Sequence, residues 1–170
     1  MKITEAKAQF INSWGALGSQ WGINRTMAQV HALLLVAAKP MSTDDVMAEL
    51  NISRGNANMN LRELMDWNLV DKVLVSGDRK EYFTAEKDIW KVATAIMYQR
   101  KKRELDPMMK VLTQLSNVET SGAADAEEVA AFTKAVKDIK KFTEQADKTM
   151  DTIIKAEENW FWSSFLKLFR

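Results

Sequence analysis

Residues 42–84 read STDDVMAELNISRGNANMNLRELMDWNLVDKVLVSGDRKEYFT, and the order of signals in this stretch decides the fold. Ser42 with Asp45 three residues on has the form of a capping box, with Asp in place of Glu or Gln. Pro40 stops any helix that precedes it, because the residue before proline is pushed out of the α region. Val46, Met47 and Leu50 give a short helix its buried side. Asn51-Ile52 is a turn, and Asn tolerates the left-handed conformation that a helix end often needs. Ser53 caps a second helix. There Ala57, Leu61 and Leu64 repeat at four and three residues and share one face. Asn68 stands where such a helix usually ends in Gly. Val70, Val73 and Val75 then lie around Asp71 and Lys72, Ser76-Gly77-Asp78-Arg79 turns the chain, and Lys80 to Thr84 returns with Tyr82 and Phe83.

Helix, turn, helix and β-hairpin in this order predict a winged helix-turn-helix, which places one helix in a DNA major groove. The second helix shows Gly55, Asn58, Met59 and Arg62 opposite its apolar side, with Arg54 and Asn56 at its first turn. Amide and guanidinium groups are the donors and acceptors that read base edges. Gly55 lets backbone come close to phosphate, and the helix N-terminus favours anions. Arg79 at a thin loop tip can enter a narrow minor groove. Lys80 adds to the same basic patch, and Asp78 is expected to hold Arg79 in one orientation.

Composition sets bounds on this reading. The 170 residues are 46% hydrophobic, which indicates a globular chain with room for one small domain and an extended helical part. There is no cysteine, hence no disulfide scaffold or thiolate chemistry. No run of about 18 apolar residues exists to span a membrane, and MKITEAKAQF lacks the apolar core of a signal peptide. A cytoplasmic location is the expectation. The net charge is +1, and residues 22–90 carry 8 Lys and Arg against 10 Asp and Glu. Phosphate affinity must therefore come from a local patch of Arg54, Arg62, Arg79 and Lys80, with the acids turned elsewhere.

Outside the module the pattern is helical. Residues 3–20 carry Phe10, Trp14 and Leu17 at helical spacing, and Arg25 to Ala38 form an apolar helix. Lys87 to Leu105 have Ile89, Trp90, Ala93, Ile96 and Met97 on one side, and Asp106-Pro107 kinks or restarts the helix. Residues 119–124 (ETSGAA) read as a linker. Beyond them Val129, Phe132, Val136, Ile139, Thr143, Ala146, Met150, Ile153, Glu157 and Trp160 fall three and four apart, a heptad seam weakened by Thr143 and Glu157. Such a helix is too long to pack on a small winged-helix domain alone, so a second helix must cover it. The expected fold is mainly α with a small β-wing, a winged helix-turn-helix with flanking dimerisation helices. The division is 1–21 (N-terminal dimerisation helix), 22–86 (DNA-binding domain) and 87–170 (dimerisation and effector region).

The run from Ile52 to Val70, with Asp78-Arg79 and Thr84, resembles the MarR family of winged-helix regulators. GINRTMAQVHALLL, NMNLRELMDWNLV, SGDRKEYFTAEKDIW and RKKRELDP are similar to its GbsR-like branch, regulators of glycine-betaine synthesis and uptake. The resemblance covers about residues 10–115 and implies a homodimeric, ligand-responsive repressor. It implies a pseudo-palindromic double-stranded DNA operator as partner, and choline or a related osmolyte as effector. It puts Gly55, Asn56, Asn58, Met59, Arg62 and Arg79 where members of the family contact DNA. Asn68 departs from the family's usual Gly.

Other features weigh as structural. His31 sits alone in an apolar helix without carboxylate partners, so it reads as a packed histidine rather than a metal ligand. No metal site, cofactor site, phosphate loop or catalytic constellation can be assembled, and an enzyme is not expected. GALGS at 15–19 lies in a helical pattern. Asp44-Asp45 and Glu157-Glu158 look like caps and solvated faces, and Arg100-Lys101-Lys102-Arg103 like a solvated turn, with phosphate contact as the alternative. Trp14, Trp21, Trp67 and Trp90 are core or interface residues on the plain reading. On the sharper one they form an aromatic cage for a quaternary ammonium effector. The tail NWFWSSFLKLFR is dense in aromatics, for which burial in a dimer is favoured over docking to another protein or a membrane surface. The competing function is a winged-helix adaptor that binds protein rather than DNA, supported by the acidic balance of residues 22–90.

Overall fold

The computed structural model describes residues 1–116 and 126–156. The linker expected at 119–124, the end of the heptad seam at Glu157 and Trp160, and the aromatic tail lie outside the described residues. The chain divides into two compact units, Met1–Val92 and Ala93–Arg170.

In the first unit, α1 (Ile3–Gln20) and α2 (Arg25–Val36) precede β1 (Met41–Ser42), α3 (Thr43–Leu50), α4 (Arg54–Asp66), β2 (Val70–Val73) and β3 (Tyr82–Ala85). Helix α1 meets α2 through its glycines. Gly15 and Gly18 are its buried residues, and a Cβ at Gly18 would lie 2.6 Å from the Cβ of Ala28. Leu17, expected on the packed side, is 39% exposed instead. Close approach of two backbones needs the smallest side chain at the crossing, and an apolar count cannot reveal that.

Helix α2 is closed at both ends. The Asn24 side chain accepts hydrogen bonds from the backbone N–H groups of Thr26 and Met27 at 2.9 and 3.1 Å. At the other end Lys87 Nζ donates to the carbonyls of Leu34, Leu35 and Ala37 at 2.6, 2.8 and 3.1 Å. One ammonium thus satisfies carbonyls left over at the helix end. The core joins Met27, Val30 and Leu34 of α2 to Val46, Ala57, Leu61, Leu64, Val70 and Phe83. Each large apolar side chain so buried stabilises the unit by roughly 1.5–3 kcal/mol.

The helix-turn-helix has the predicted local causes. Ser42 and Asp45 form a reciprocal capping box, and Asn51 ends α3 at φ 51° and ψ 49°. Ser53 caps α4, and Asn68 follows α4 at φ 56°. The sheet has three strands in antiparallel order β1-β3-β2, not the two expected. Ser42, read as a cap alone, also pairs with Tyr82 while Met41 pairs with Phe83. A two-residue strand has no alternation by which to recognise it. The wing strands are shorter than predicted: β2 stops at Val73 and β3 begins at Tyr82.

The boundary between the units falls within α5 (Ile89–Arg100). The side of α5 predicted to be buried is incorrect. Ile89 and Trp90 are exposed, and Val92, Thr94 and Gln99 are buried. In the second unit a π-helical turn, Lys101–Leu105, leads into α6 (Asp106–Leu115), with Pro107 in its first turn. The restart expected at Asp106-Pro107 is thus a wide turn followed by a fresh helix. The Arg100–Arg103 run is not a plain solvated turn either. Lys101 pairs with Asp106, Asp147 and Asp151, and Arg100 with Glu104. Helix α7 (Ala126–Ala156) buries Val136 and Thr143 of the seam, while Phe132, Ile139 and Ile153 stay exposed in the single chain. Thr143 is tolerated because its hydroxyl donates to the Ile139 carbonyl at 2.9 Å. No described helix is long and apolar enough to cross a membrane.

Candidate nucleic-acid interface

Helix α4 owes its orientation to its apolar side. Ala57, Leu61 and Leu64 are buried to 1% exposure or less, so Gly55, Met59 and Arg62 face outward. Met59 is 56% exposed. Nothing would lie within 4 Å of a Cβ at Gly55, so the first turn of α4 offers open backbone. The other predicted residues are engaged within the protein. Asn58 accepts from the hydroxyl of Thr43 at 3.2 Å, which ties α4 to α3. Asn56 Oδ1 accepts from Asn60 Nδ2 at 2.6 Å.

Asn60 is the residue that sequence reasoning missed. It is fully buried, and its amide also donates to the Asn56 carbonyl at 2.8 Å. Burial of an amide is costly unless it is bonded, and here the bond orients a residue of the exposed first turn. The signal was available: Asn60 is one residue before Leu61 and three after Ala57, at the edge of the apolar stripe.

The wing corrects one expectation. Asp78 does not act by holding the Arg79 side chain. Its carboxylate accepts from the Lys80 backbone N–H at 2.9 Å and from the Tyr82 hydroxyl at 2.8 Å. These bonds hold the Asp78 carboxyl below the usual carboxylate range, the Lys80 N–H being the larger cause, and the same contact raises the Tyr82 phenol. Asp78 therefore closes the turn in which Gly77 has φ 85°, and Arg79 is presented by the backbone rather than by a carboxylate. Arg79 is exposed. Across the hairpin Lys72 pairs with Glu81.

A second correction concerns the acids. Asp45 is a cap, as expected, but Asp44 is not a solvated bystander. It pairs with Arg54, and its other oxygen lies 3.5 Å from Lys80 Nζ. One carboxylate on α3 thus draws together a cation of α4 and a cation of the wing.

Of the four tryptophans, Trp14 packs on Phe10 with ring centroids 5.5 Å apart and on His31 at 6.1 Å. Trp67 belongs to the core, while Trp21 and Trp90 are each 54% exposed. Burial pushes the His31 imidazole down to about 4, with Lys87 adding to the effect. A cleft of about 490 Å³ lies among α1, the end of α2 and the end of α3, and none of the four tryptophans lines it. Lys7, Asn12, Gln29 and Glu49 give it polar walls, with Leu33 and Leu50 among its apolar ones. Among the described residues no group of three or more His, Cys, Asp or Glu could hold a metal ion.

Residues 21–81 match the MarR family. The matched stretch is a winged helix similar to those of the MarR family. The MarR match covers both helices of the helix-turn-helix and all but the last strand of the wing. Two proteins of Bacillus subtilis (strain 168) are similar. The HTH-type transcriptional repressor GbsR is 28% identical over 103 residues, 61% of this chain and 57% of its own length. The putative HTH-type transcriptional regulator YvaV is 25% identical over 88 residues, 52% of this chain and 50% of its own. The chain thus spans about half the length of these relatives. A crystal structure of a transcriptional regulator superposes with a TM-score of 0.67 at 15% identity, over 91% of this chain and 99% of that one. That likeness is one of fold.

Proposed function

We propose that this protein is a DNA-binding transcriptional regulator that acts as a homodimeric repressor. The observation that carries the reading is the outward face of α4, where open backbone at Gly55 stands beside exposed Met59 and Arg62, on a module similar to those of the MarR family. Two such helices, about 34 Å apart in a two-fold dimer, enter successive major grooves of a pseudo-palindrome while Arg79 reaches the flanking minor groove. The apolar side chains exposed on α7, Phe132, Ile139 and Ile153, support a second copy as the partner of that helix. An N-terminal helix, a DNA-binding module at 22–86 and a C-terminal dimerisation region is the division that goes with it. The names of the two relatives, a repressor and a regulator, support regulation over enzymatic work.

An effector of the choline type is the finer part of the proposal. It is supported by the likeness to GbsR-type sequences and by a cleft of about 490 Å³ with Glu49 in its wall, a volume suited to a small ligand. A cytoplasmic site of action follows from a chromosomal target.

Selection of bound genomic fragments by the purified protein, followed by titration at two salt concentrations, tests the function. A regulator enriches a two-fold related sequence and shows a steep salt slope. A flat slope with no enriched sequence would move the chain to the adaptor reading. Sedimentation must show a dimer at micromolar concentration, and choline must change the affinity for the enriched site.

A further inference from the structure

We infer that Asp44 is a charge brake on this surface, a carboxylate that lowers general affinity for DNA and sharpens discrimination of the specific site. The inference rests on the DNA-binding reading above. Asp44 is half-exposed on α3, pairs with Arg54 at the first turn of α4, and lies 3.5 Å from Lys80 on the wing. Arg54 and Lys80 are two of the four cations that the basic patch needs, in a module whose residues 22–90 hold more acids than bases. A DNA-binding surface normally turns its carboxylates away from phosphate. Here one is placed between two cations of the surface itself.

Two effects follow from that placement. Non-specific binding is almost wholly phosphate attraction, and each phosphate neutralised adds about 0.9 to the slope of log K against log salt. A trio of one acid and two bases presents a single net charge where two would stand without the acid, so about one phosphate contact is withheld. The second effect acts on the specific complex. There Arg54 and Lys80 must occupy fixed positions, and Asp44 has already restricted both, so less ordering remains to be done on binding. A non-specific complex needs no fixed positions and gains nothing from the restriction. Exposed ion pairs are weak, so the pairing yields to a well-placed phosphate without blocking the site. Specificity of this kind comes from a repulsive element as well as from attractive ones.

The test compares the wild-type chain, Asp44→Asn and Asp71→Asn on a selected site and on random duplex between 50 and 200 mM salt. Asp71→Asn removes the same charge from an exposed position of the same module, on β2. Asp44→Asn should bind random duplex about 3- to 10-fold more tightly at the low salt. Its salt slope should steepen by about 1, and its ratio of specific to random affinity should fall several-fold. Asp71→Asn should change neither slope nor ratio. Adding Arg54→Gln to Asp44→Asn should return the random affinity to near the wild-type value. Asp44→Glu, which keeps the charge, should behave as wild type and guards against a folding artefact. An unchanged slope in Asp44→Asn, or equal effects of Asp44→Asn and Asp71→Asn, would overturn the brake while leaving the regulator intact. No salt-dependent binding by the wild type would overturn the regulator reading and the brake with it.

Discussion

The ammonium of Lys101 lies 2.7 Å from the carboxylate of Asp147, joining the π-helical turn to α7 within the second unit. Asp106 and Asp151 each stand 3.5 Å from the same ammonium. The hydrogen bond that Lys101 donates to Asp147, with the charges of the three carboxylates, raises the Lys101 pKa beyond the ordinary lysine range.

Loss of that cation leaves three carboxylates facing one another. Lys101→Met should lower stability by about 1–3 kcal/mol, the usual cost of a hydrogen bond to a charged group. Asp147→Asn should cost less, because Lys101 keeps two acidic partners. A shift of the urea midpoint at constant slope measures both. With the folded pKa raised, the contribution is full below the unfolded lysine value and is lost only as pH climbs through the folded one. Between pH 6 and 9 it should stay constant, and equal midpoints for Lys101→Met and wild type would remove the pair from the account.

His31 predicts a loss on the acid side. Its folded pKa of about 4 lies below the ordinary 6.5, so between those values the unfolded chain binds the proton and the folded one resists it. Stability is full above pH 6.5 and falls as pH drops toward 4, by about 2–4 kcal/mol in all. His31→Leu should flatten that part of the pH profile in thermal unfolding. The variant keeps an apolar body and removes Nε2, which is buried without a hydrogen-bond partner among the described residues. A profile as steep as that of wild type would assign the acid loss to other groups.

The wing predicts a graded series. Arg79→Ala should weaken binding to a specific site with helix content unchanged. Asp78→Ala should do so as well, through loss of its bonds to the Lys80 N–H and the Tyr82 hydroxyl. Tyr82→Phe removes one of these bonds and should lie between wild type and Asp78→Ala. Fluorescence anisotropy on a labelled duplex reads the order. Equal affinity in all four proteins would place the wing outside the interface.

Two glycines should respond in opposite ways. Gly55→Ala has open space around it and should gain about 0.5–1 kcal/mol of stability from lower backbone entropy. The same methyl should weaken DNA binding by keeping backbone from phosphate. Gly18→Val should lose about 1–3 kcal/mol because the new side chain meets Ala28. Melting temperatures and one binding isotherm for each variant suffice. A Gly55→Ala protein that binds DNA as wild type does would mean that α4 approaches DNA by another part of its face.

How much of this was legible depended on the range of the interaction. The caps at Ser42, Ser53 and Asn51 and the apolar stripe Ala57-Leu61-Leu64 are local, and each was readable from residues within one or two turns. The pairing of Asp44 with Arg54 spans ten residues and that of Lys101 with Asp147 spans 46. Charges that far apart carry no mark of their partners in the chain, and they read as solvated faces. Asp78 was misread for a related reason. A carboxylate next to an arginine suggests a side-chain pair, yet a tight turn brings the backbone N–H of Lys80 closer. The buried side of α5 was misjudged because Ile89 and Trp90 are apolar but precede the packed stretch, whereas Thr94 and Gln99 are polar and buried within it.

Ser42 belongs to two structures at once. Its backbone pairs with Tyr82 in the sheet, while its side chain and N–H bond to Asp45 at the start of α3. Neither can open alone without breaking the other at a shared residue. Amide protons at the base of the wing and in the first turn of α3 should therefore exchange with solvent together, as one cooperative opening. The far end of the hairpin, around exposed Leu74 to Arg79, should exchange freely. A force applied at the wing tip would then be felt where the helix-turn-helix begins, and a change in the turn would reach the wing by the same residue.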